Sequence, residues 1–141
     1  MILADVNVLV YAFRSDADQH ERYRKWLEDI VNAEQAYGVS PQVLASVVRV
    51  TTHPQIFAKP SSPADALAFS RVLLEQPHAT VIAPGERHWD IFETLCHSAK
   101  AKGNLVQDAW FAALSIESGC EWITTDRDFA RFPDLTWRNP W

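Results

Sequence analysis

Asp5, Asp108 and Asp126 are the side chains of this sequence best suited to do chemistry together, although they stand far apart along the chain. Asp5 closes the apolar opening "MILAD", and Asp126 follows "EWITT", an apolar segment near the other end. If both segments are parallel strands of one sheet, both carboxylates reach the rim beyond the strands' carboxyl ends, where such sheets place ligands. Asp108 lies at the edge of an apolar helical stripe set by Leu105, Ala109, Ala112, Ala113 and Ile116, so it needs a partner. Taken singly, each acid has a simple structural role: Asp5 and Asp126 as helix caps or turn formers, Asp108 as half of an ion pair. Taken together they repel, and burying them unpaired would cost several kcal/mol per ion. A hard divalent cation resolves the repulsion. Mg²⁺, with Mn²⁺ able to substitute, takes one or two carboxylates directly and keeps waters and substrate phosphates as its other ligands.

Supporting groups flank these acids. Asn7 is placed to hold Asp5 by a side-chain hydrogen bond or to bind an outer-sphere water. Thr124 and Thr125 can orient the carboxylates through their hydroxyls, although Thr124 is also simply a good strand residue. Asp128 is assigned a capping or supporting role on the turn after Asp126. The histidines show neither HxH nor HExxH spacing, and Cys96 and Cys120 form no CxxC, so a zinc site is disfavoured.

The elements that must position these groups are legible from periodicity. "HERYRKWLEDIV" is an amphipathic helix burying Tyr23, Trp26, Leu27, Ile30 and Val31, with Asp18 as its expected cap. Ser40-Pro41 and Ser62-Pro63 each open a helix by a capping hydroxyl and a first-turn proline. The second of these buries Ala66, Leu67, Ser70, Leu73 and Leu74, and a later helix aligns Trp89, Phe92, Leu95, Cys96 and Ala99. Gly103 precedes the helix that carries Asp108, and Gly119 closes it. "MILAD", "AYGVS", "ATVIA" and "EWITT" read as short strands, with "LTWRNPW" as an edge strand or docked tail. The alternation predicts an α/β fold: one domain over residues 1–141, with a central, mostly parallel sheet of four or five short strands and helices on both faces.

At 141 residues, 48% hydrophobic and with a net charge of −5, the chain can bury one core, and it is a poor candidate for nonspecific adhesion to nucleic acid or membrane. No segment approaches a membrane span, and the N-terminus lacks a signal-peptide pattern; a soluble protein with reduced thiols is expected. A haloacid-dehalogenase-like phosphatase would need D-x-D where this chain has Asp5 and Asn7, and a response-regulator receiver would need a phosphoacceptor that "TVIAPGER" does not offer.

The words around the acids are more specific than the acids themselves. "DVNVLVYA", "HERYRKWL", "RVTTHPQIF", "NLVQDAWFAAL" and "ITTDRDFARFPDLTW", in this order, make the chain resemble a PIN domain nearly end to end, and specifically the VapC-type ribonuclease toxins of bacterial toxin–antitoxin pairs. That resemblance implies a Mg²⁺-dependent endoribonuclease of the bacterial cytoplasm, a homodimer, inhibited by a cognate antitoxin. It places catalytic and metal-binding roles on Asp5, Asp108 and Asp126. Where the family usually has a glutamate on the helix after the second strand, this chain has Ser46, which leaves the number of tightly held metals open. A PIN-like module that binds RNA or protein without cutting is the competing expectation.

RNA beside an acidic rim needs cations. Arg14, Arg49 and Arg127 are the candidates, while Arg22, Arg24 and Lys25 alternate with Glu21, Glu28 and Asp29 and read as a solvated helix face. Trp26, Trp89 and Trp122 are expected in the core; Trp110, Trp137 and Trp141 are free to serve a dimer contact, an antitoxin groove or unstacked bases.

Overall fold

β1 (Ile2–Ala4) is the centre of the molecule, hydrogen-bonded in parallel to β2 (Tyr37–Val39) on one side and β4 (Glu121–Ile123) on the other. β3 (Ala79–Val81) and β5 (Trp137–Arg138) extend the sheet outward, giving the order β3-β2-β1-β4-β5 with every pairing parallel. The protein's computed structural model describes residues 1–141.

Six helices fill the connections: α1 (Val6–Phe13), α2 (His20–Asn32), α3 (Pro41–Thr51), α4 (Pro63–Glu75), α5 (His88–Ala99) and α6 (Asn104–Ser118). Successive strand residues point to opposite faces, yet Leu3 and Ala4 in β1 and Trp122 and Ile123 in β4 are all buried. The sheet is therefore covered on both sides, as a parallel sheet requires. "LTWRNPW" supplies the fifth strand, and Trp141 beyond it packs on Tyr23 at 4.6 Å between ring centroids.

The two Ser-Pro openings and the closing Gly119 hold. Ser40 and Ser62 accept hydrogen bonds from the amides of Val43 and Asp65, each ahead of a first-turn proline. Gly119 ends α6 at φ 72°, a left-handed conformation that costs glycine little. Three expectations need correction. α2 starts at His20, after Gln19 in a left-handed conformation, and Asp18 does not cap it. On α4, Leu67 is exposed while Ala66, Ser70 and Leu73 face inward. On α5, Trp89 is 58% exposed and the neighbouring His88 is buried in its stead, its Nε2 3.1 Å from the Trp110 carbonyl oxygen. The apolar periodicity of α5 fits two adjacent faces, and the histidine's hydrogen bond selects one of them.

Candidate metal centre

The register of β1 and β4 decides where the first acid goes. Ala4 pairs with Ile123, and the Asp5 amide donates to the Ile123 carbonyl at 2.9 Å, so Asp5 and Thr124 leave the sheet side by side. Asp5 is 6% exposed and spends both oxygens locally: Oδ1 accepts from the Val6 amide at 2.7 Å, and Oδ2 accepts from Thr124 Oγ1 at 2.6 Å. It is at once the cap of α1 and a wall of the cleft.

Thr124, fully buried, also accepts from the Asp126 amide at 3.0 Å, so one hydroxyl ties two acids together. Asp126 opens a short 3-10 turn (Arg127–Arg131), its Oδ1 accepting from the Asp128 amide at 2.9 Å. Asp108 arrives from the first turns of α6. Oxygens of Asp108, Asp126 and Asp128 lie within 4.8 Å of one another, close enough to share a cation.

Asp5 stands outside that tightest trio but lines the same cleft of about 310 Å³, together with Asn7, Ser46, Arg49, Asp108 and Asp126. The electrostatics tie it to the group. Burial raises the Asp5 carboxyl to about 6, with the Asp126 charge adding to the shift against its hydrogen bonds. Asp108 is likewise raised to about 6, first by desolvation and then by repulsion from Asp126, Asp5 and Asp128. Acids that destabilise one another's charge in a solvent-reached cleft make a receptor for a hard cation. The three expected acids therefore share one cleft, and Asp128, assigned a capping or supporting role, has a carboxylate oxygen within 4.8 Å of those of Asp108 and Asp126.

The other expected residues divide. Asn7 is exposed and lines the cleft but makes no hydrogen bond to Asp5, whose oxygens are satisfied by Val6 and Thr124. Thr125 is half-buried and its hydroxyl bonds to neither acid, whereas Thr124 holds both. Ser46 lies in the cleft wall, at the place where the resemblance led one to expect a glutamate. Arg49 is exposed beside it, and Arg127 is exposed on the turn after Asp126.

Arg14 corrects an expectation. It is 8% exposed at the end of α1, with Nε and Nη2 on Asp16 at 2.9 and 2.6 Å and Nη1 on the Lys59 carbonyl and Ser61 Oγ at 2.8 and 3.0 Å. With every donor group engaged, it has no face left for a phosphate. Asn104 and Gln107 also line the cleft and were not singled out from the sequence. The signal was there: Asn104 precedes Asp108 by one helical turn and so shares its face.

The structure is a parallel five-stranded α/β sheet with a cluster of acids at its carboxyl rim, a place where such sheets bind ligands and a donor set suited to a hard cation. The comparisons narrow it. The PIN domain model matches residues 2–135, and the chain belongs to the PIN-domain family, among the VapC ribonucleases. It is 44% identical over 140 residues to VapC ribonuclease Mb2897 of Mycobacterium bovis and to Ribonuclease VapC43 of Mycobacterium tuberculosis, covering 99% of this chain and 95% of each relative. Ribonuclease VapC25 of Mycobacterium tuberculosis is 41% identical over 135 residues, 96% of this chain and 95% of the relative. The same fold occurs in VapBC2 from Rickettsia felis bound to a promoter DNA fragment (TM-score 0.71, 20% identity, 99% of this chain and 98% of that one). It occurs also in Mycobacterium tuberculosis VapC20, a sarcin-ricin loop cleaving toxin (TM-score 0.64, 14% identity, 92% and 93%).

Proposed function

We propose that residues 1–141 act as one PIN domain, a Mg²⁺-dependent endoribonuclease toxin that works as a homodimer in the bacterial cytoplasm and is restrained by a cognate antitoxin. The family supports the ribonuclease activity and the antitoxin, since the relatives are named ribonucleases and the VapBC neighbours are toxin–antitoxin complexes. The observation that carries the reading is that Asp5, Asp108 and Asp126 line one cleft, with a carboxylate oxygen of Asp128 within 4.8 Å of those of Asp108 and Asp126.

In this reading Asp108, Asp126 and Asp128 hold the cation, and Asp5, fixed by Thr124, completes the negative field or reaches the ion through water. Bound there, Mg²⁺ supplies a lowered pKa for attacking water and compensation for charge developing on the phosphate oxygens. The protein's own part is to hold the carboxylates of Asp108, Asp126 and Asp128 within 4.8 Å of one another, with Asp5 fixed beside them by Val6 and Thr124. No side-chain nucleophile is needed.

The test is cleavage of a structured RNA by purified, antitoxin-free protein with Mg²⁺, set beside Asp108→Asn. Cutting by the wild type and its loss in the variant is the expected result. Ser46 favours the second reading, a PIN-like module that binds RNA or protein without cutting. Equal cutting by both proteins would sink the proposed centre, and no cutting by either would favour the binder.

A further inference from the structure

Between Glu34 and Asp65 the chain carries no carboxylate, although the whole protein has 18 acids against 13 Lys and Arg. The cations of that stretch are Arg49 and Lys59, both exposed and neither in an ion pair, and His53 lies between them. By contrast Arg24 pairs with Glu21 and Glu28, Lys25 with Asp29, Arg71 with Glu75 and Arg138 with Glu121. The acid-free stretch runs directly on from the cleft: Ser46, Arg49 and Val50 line it, and the connection from α3 to α4 begins two residues later, at Thr52.

That connection has little apolar burial of its own; Gln55, Ile56, Ala58, Lys59 and Pro60 are exposed. It is held at defined points. The Ser61 amide donates to the Thr51 carbonyl at 2.8 Å, and the Ile56 and Phe57 amides both donate to the His53 carbonyl. The remaining tether is Arg14: its guanidinium grips Lys59 and Ser61 from one edge, Asp16 from the other, and lies 4.0 Å above the Phe57 ring. A planar fork stacked on an aromatic ring and donating to both sides fixes a loop in a way a lysine cannot.

We propose that the segment from Thr52 to Ser62 is a cationic lip that takes the phosphate backbone of a single RNA strand leading into the acidic cleft, with Lys59 and Arg49 as its phosphate contacts and Arg14 as the positioning residue that holds the lip in place. The proposal rests on the ribonuclease reading for the identity of the strand. A substrate whose scissile phosphate must sit among carboxylates needs cations on the adjoining phosphates, and this stretch runs on from the cleft with no acid of its own, while the Asp16 carboxylate beside it is taken up by Arg14. Arg14 acts on RNA only through the lip.

The experiment measures binding of a fluorescein-labelled single-stranded RNA in Ca²⁺ over a range of salt, and cleavage kinetics in Mg²⁺, for wild type, Lys59→Ala, Arg14→Ala, Arg14→Lys and, as a matched charge loss elsewhere, Lys25→Ala. Lys59→Ala is expected to bind several-fold more weakly, with a slope of log affinity on log salt shallower by about 0.7, the value for one phosphate contact on a single strand. Arg14→Ala and Arg14→Lys are both expected to raise KM several-fold with kcat moved less than twofold, and to admit protease within the lip, because retained charge does not replace the fork. Unchanged affinity and slope in Lys59→Ala would overturn the lip, and wild-type behaviour of Arg14→Lys would overturn the positioning role. If Lys59→Ala weakened an antitoxin peptide and not RNA, the surface would belong to a protein and the proposal would fall. RNA bound with these dependences but never cut would support the lip and remove the nuclease reading; no RNA binding by the wild type would remove both.

Discussion

Thr124 Oγ1 donates to Asp5 Oδ2 at 2.6 Å, across 119 residues of sequence, from a position with no solvent exposure. The bond offsets part of the cost of keeping a carboxylate charged where burial works against the charge. Because the same oxygen accepts from the Asp126 amide, the hydroxyl also sets the spacing between two acids.

Replacing Thr124 by valine keeps the β-branched shape and removes both bonds. Thr124→Val is expected to lose about 1–3 kcal/mol of stability, the cost of leaving buried polar groups unsatisfied, and to weaken divalent-cation binding. Thr124→Ser should recover most of the binding. Urea unfolding together with Mn²⁺ titration checks both, and a valine variant that binds Mn²⁺ like the wild type would deny Thr124 its orienting role.

The raised carboxyls make metal-free stability depend on pH in a definite direction. Asp5 and Asp108 sit near 6 when folded against an ordinary value of 3.8, so the native state holds more protons between those limits. Where the native state holds the extra protons, stability falls as pH rises. The stabilisation is complete below about pH 4 and is lost through about pH 6. Asp5 contributes roughly 2–3 kcal/mol to this change; Asp108, only half-buried, contributes less after solvent screening. Urea midpoints in EDTA at pH 5 and pH 7.5, corrected by an Asp5→Asn variant, measure it. A native state equally stable at both, in the wild type and the variant alike, would contradict the shift.

Adding Mg²⁺ or Mn²⁺ at pH 7.5 should raise Tm in proportion to the logarithm of its concentration above Kd, since it binds the folded state selectively. EDTA should reverse the rise. Asp108→Asn separates the terms: with one repelling charge gone, the metal-free protein should melt higher than the wild type, while the response to metal shrinks. Differential scanning fluorimetry reads both, and an Asp108→Asn protein that melts lower without metal and responds fully to it would oppose a shared cluster.

How far these features were legible in the sequence differs by the kind of signal. The strand ends at Asp5 and Asp126 could be read because a short apolar run followed by a polar residue leaves few alternatives, and parallel topology then brings them to one rim. Asp108 stood out by its place at the edge of an apolar stripe. Arg14 misled because charge and position say nothing about whether a guanidinium is already engaged; its partners Lys59 and Ser61 are 45 and 47 residues away. The place of Asp128 beside Asp108 and Asp126 was hidden for a similar reason. Its direction depends on the 3-10 turn that Asp126 caps, a geometry that composition does not specify. Trp89 and His88 show the limit of periodicity, since one hydrogen bond from His88 to Trp110 decided which of two adjacent residues turned inward.

In the proposed centre, the uncharged Ser46 puts weight on Asp128 as a ligand for the cation. Ser46 carries no charge in the cleft wall, and the third carboxylate near Asp108 and Asp126 is that of Asp128, on the turn. Asp128 is exposed, and Arg131 is its nearest cation at 3.9 Å, too long for a firm pair, so its carboxylate is available. Asp128→Asn is therefore expected to weaken Mn²⁺ binding about tenfold or more while changing metal-free stability by less than about 0.5 kcal/mol, as surface substitutions do. Adding Ser46→Glu to that variant supplies a carboxylate from the cleft wall and should restore part of the lost affinity. Isothermal titration of Mn²⁺ into the three proteins decides it: an Asp128→Asn protein with wild-type affinity would return Asp128 to a capping role and leave Asp5, Asp108 and Asp126 to hold the ion alone.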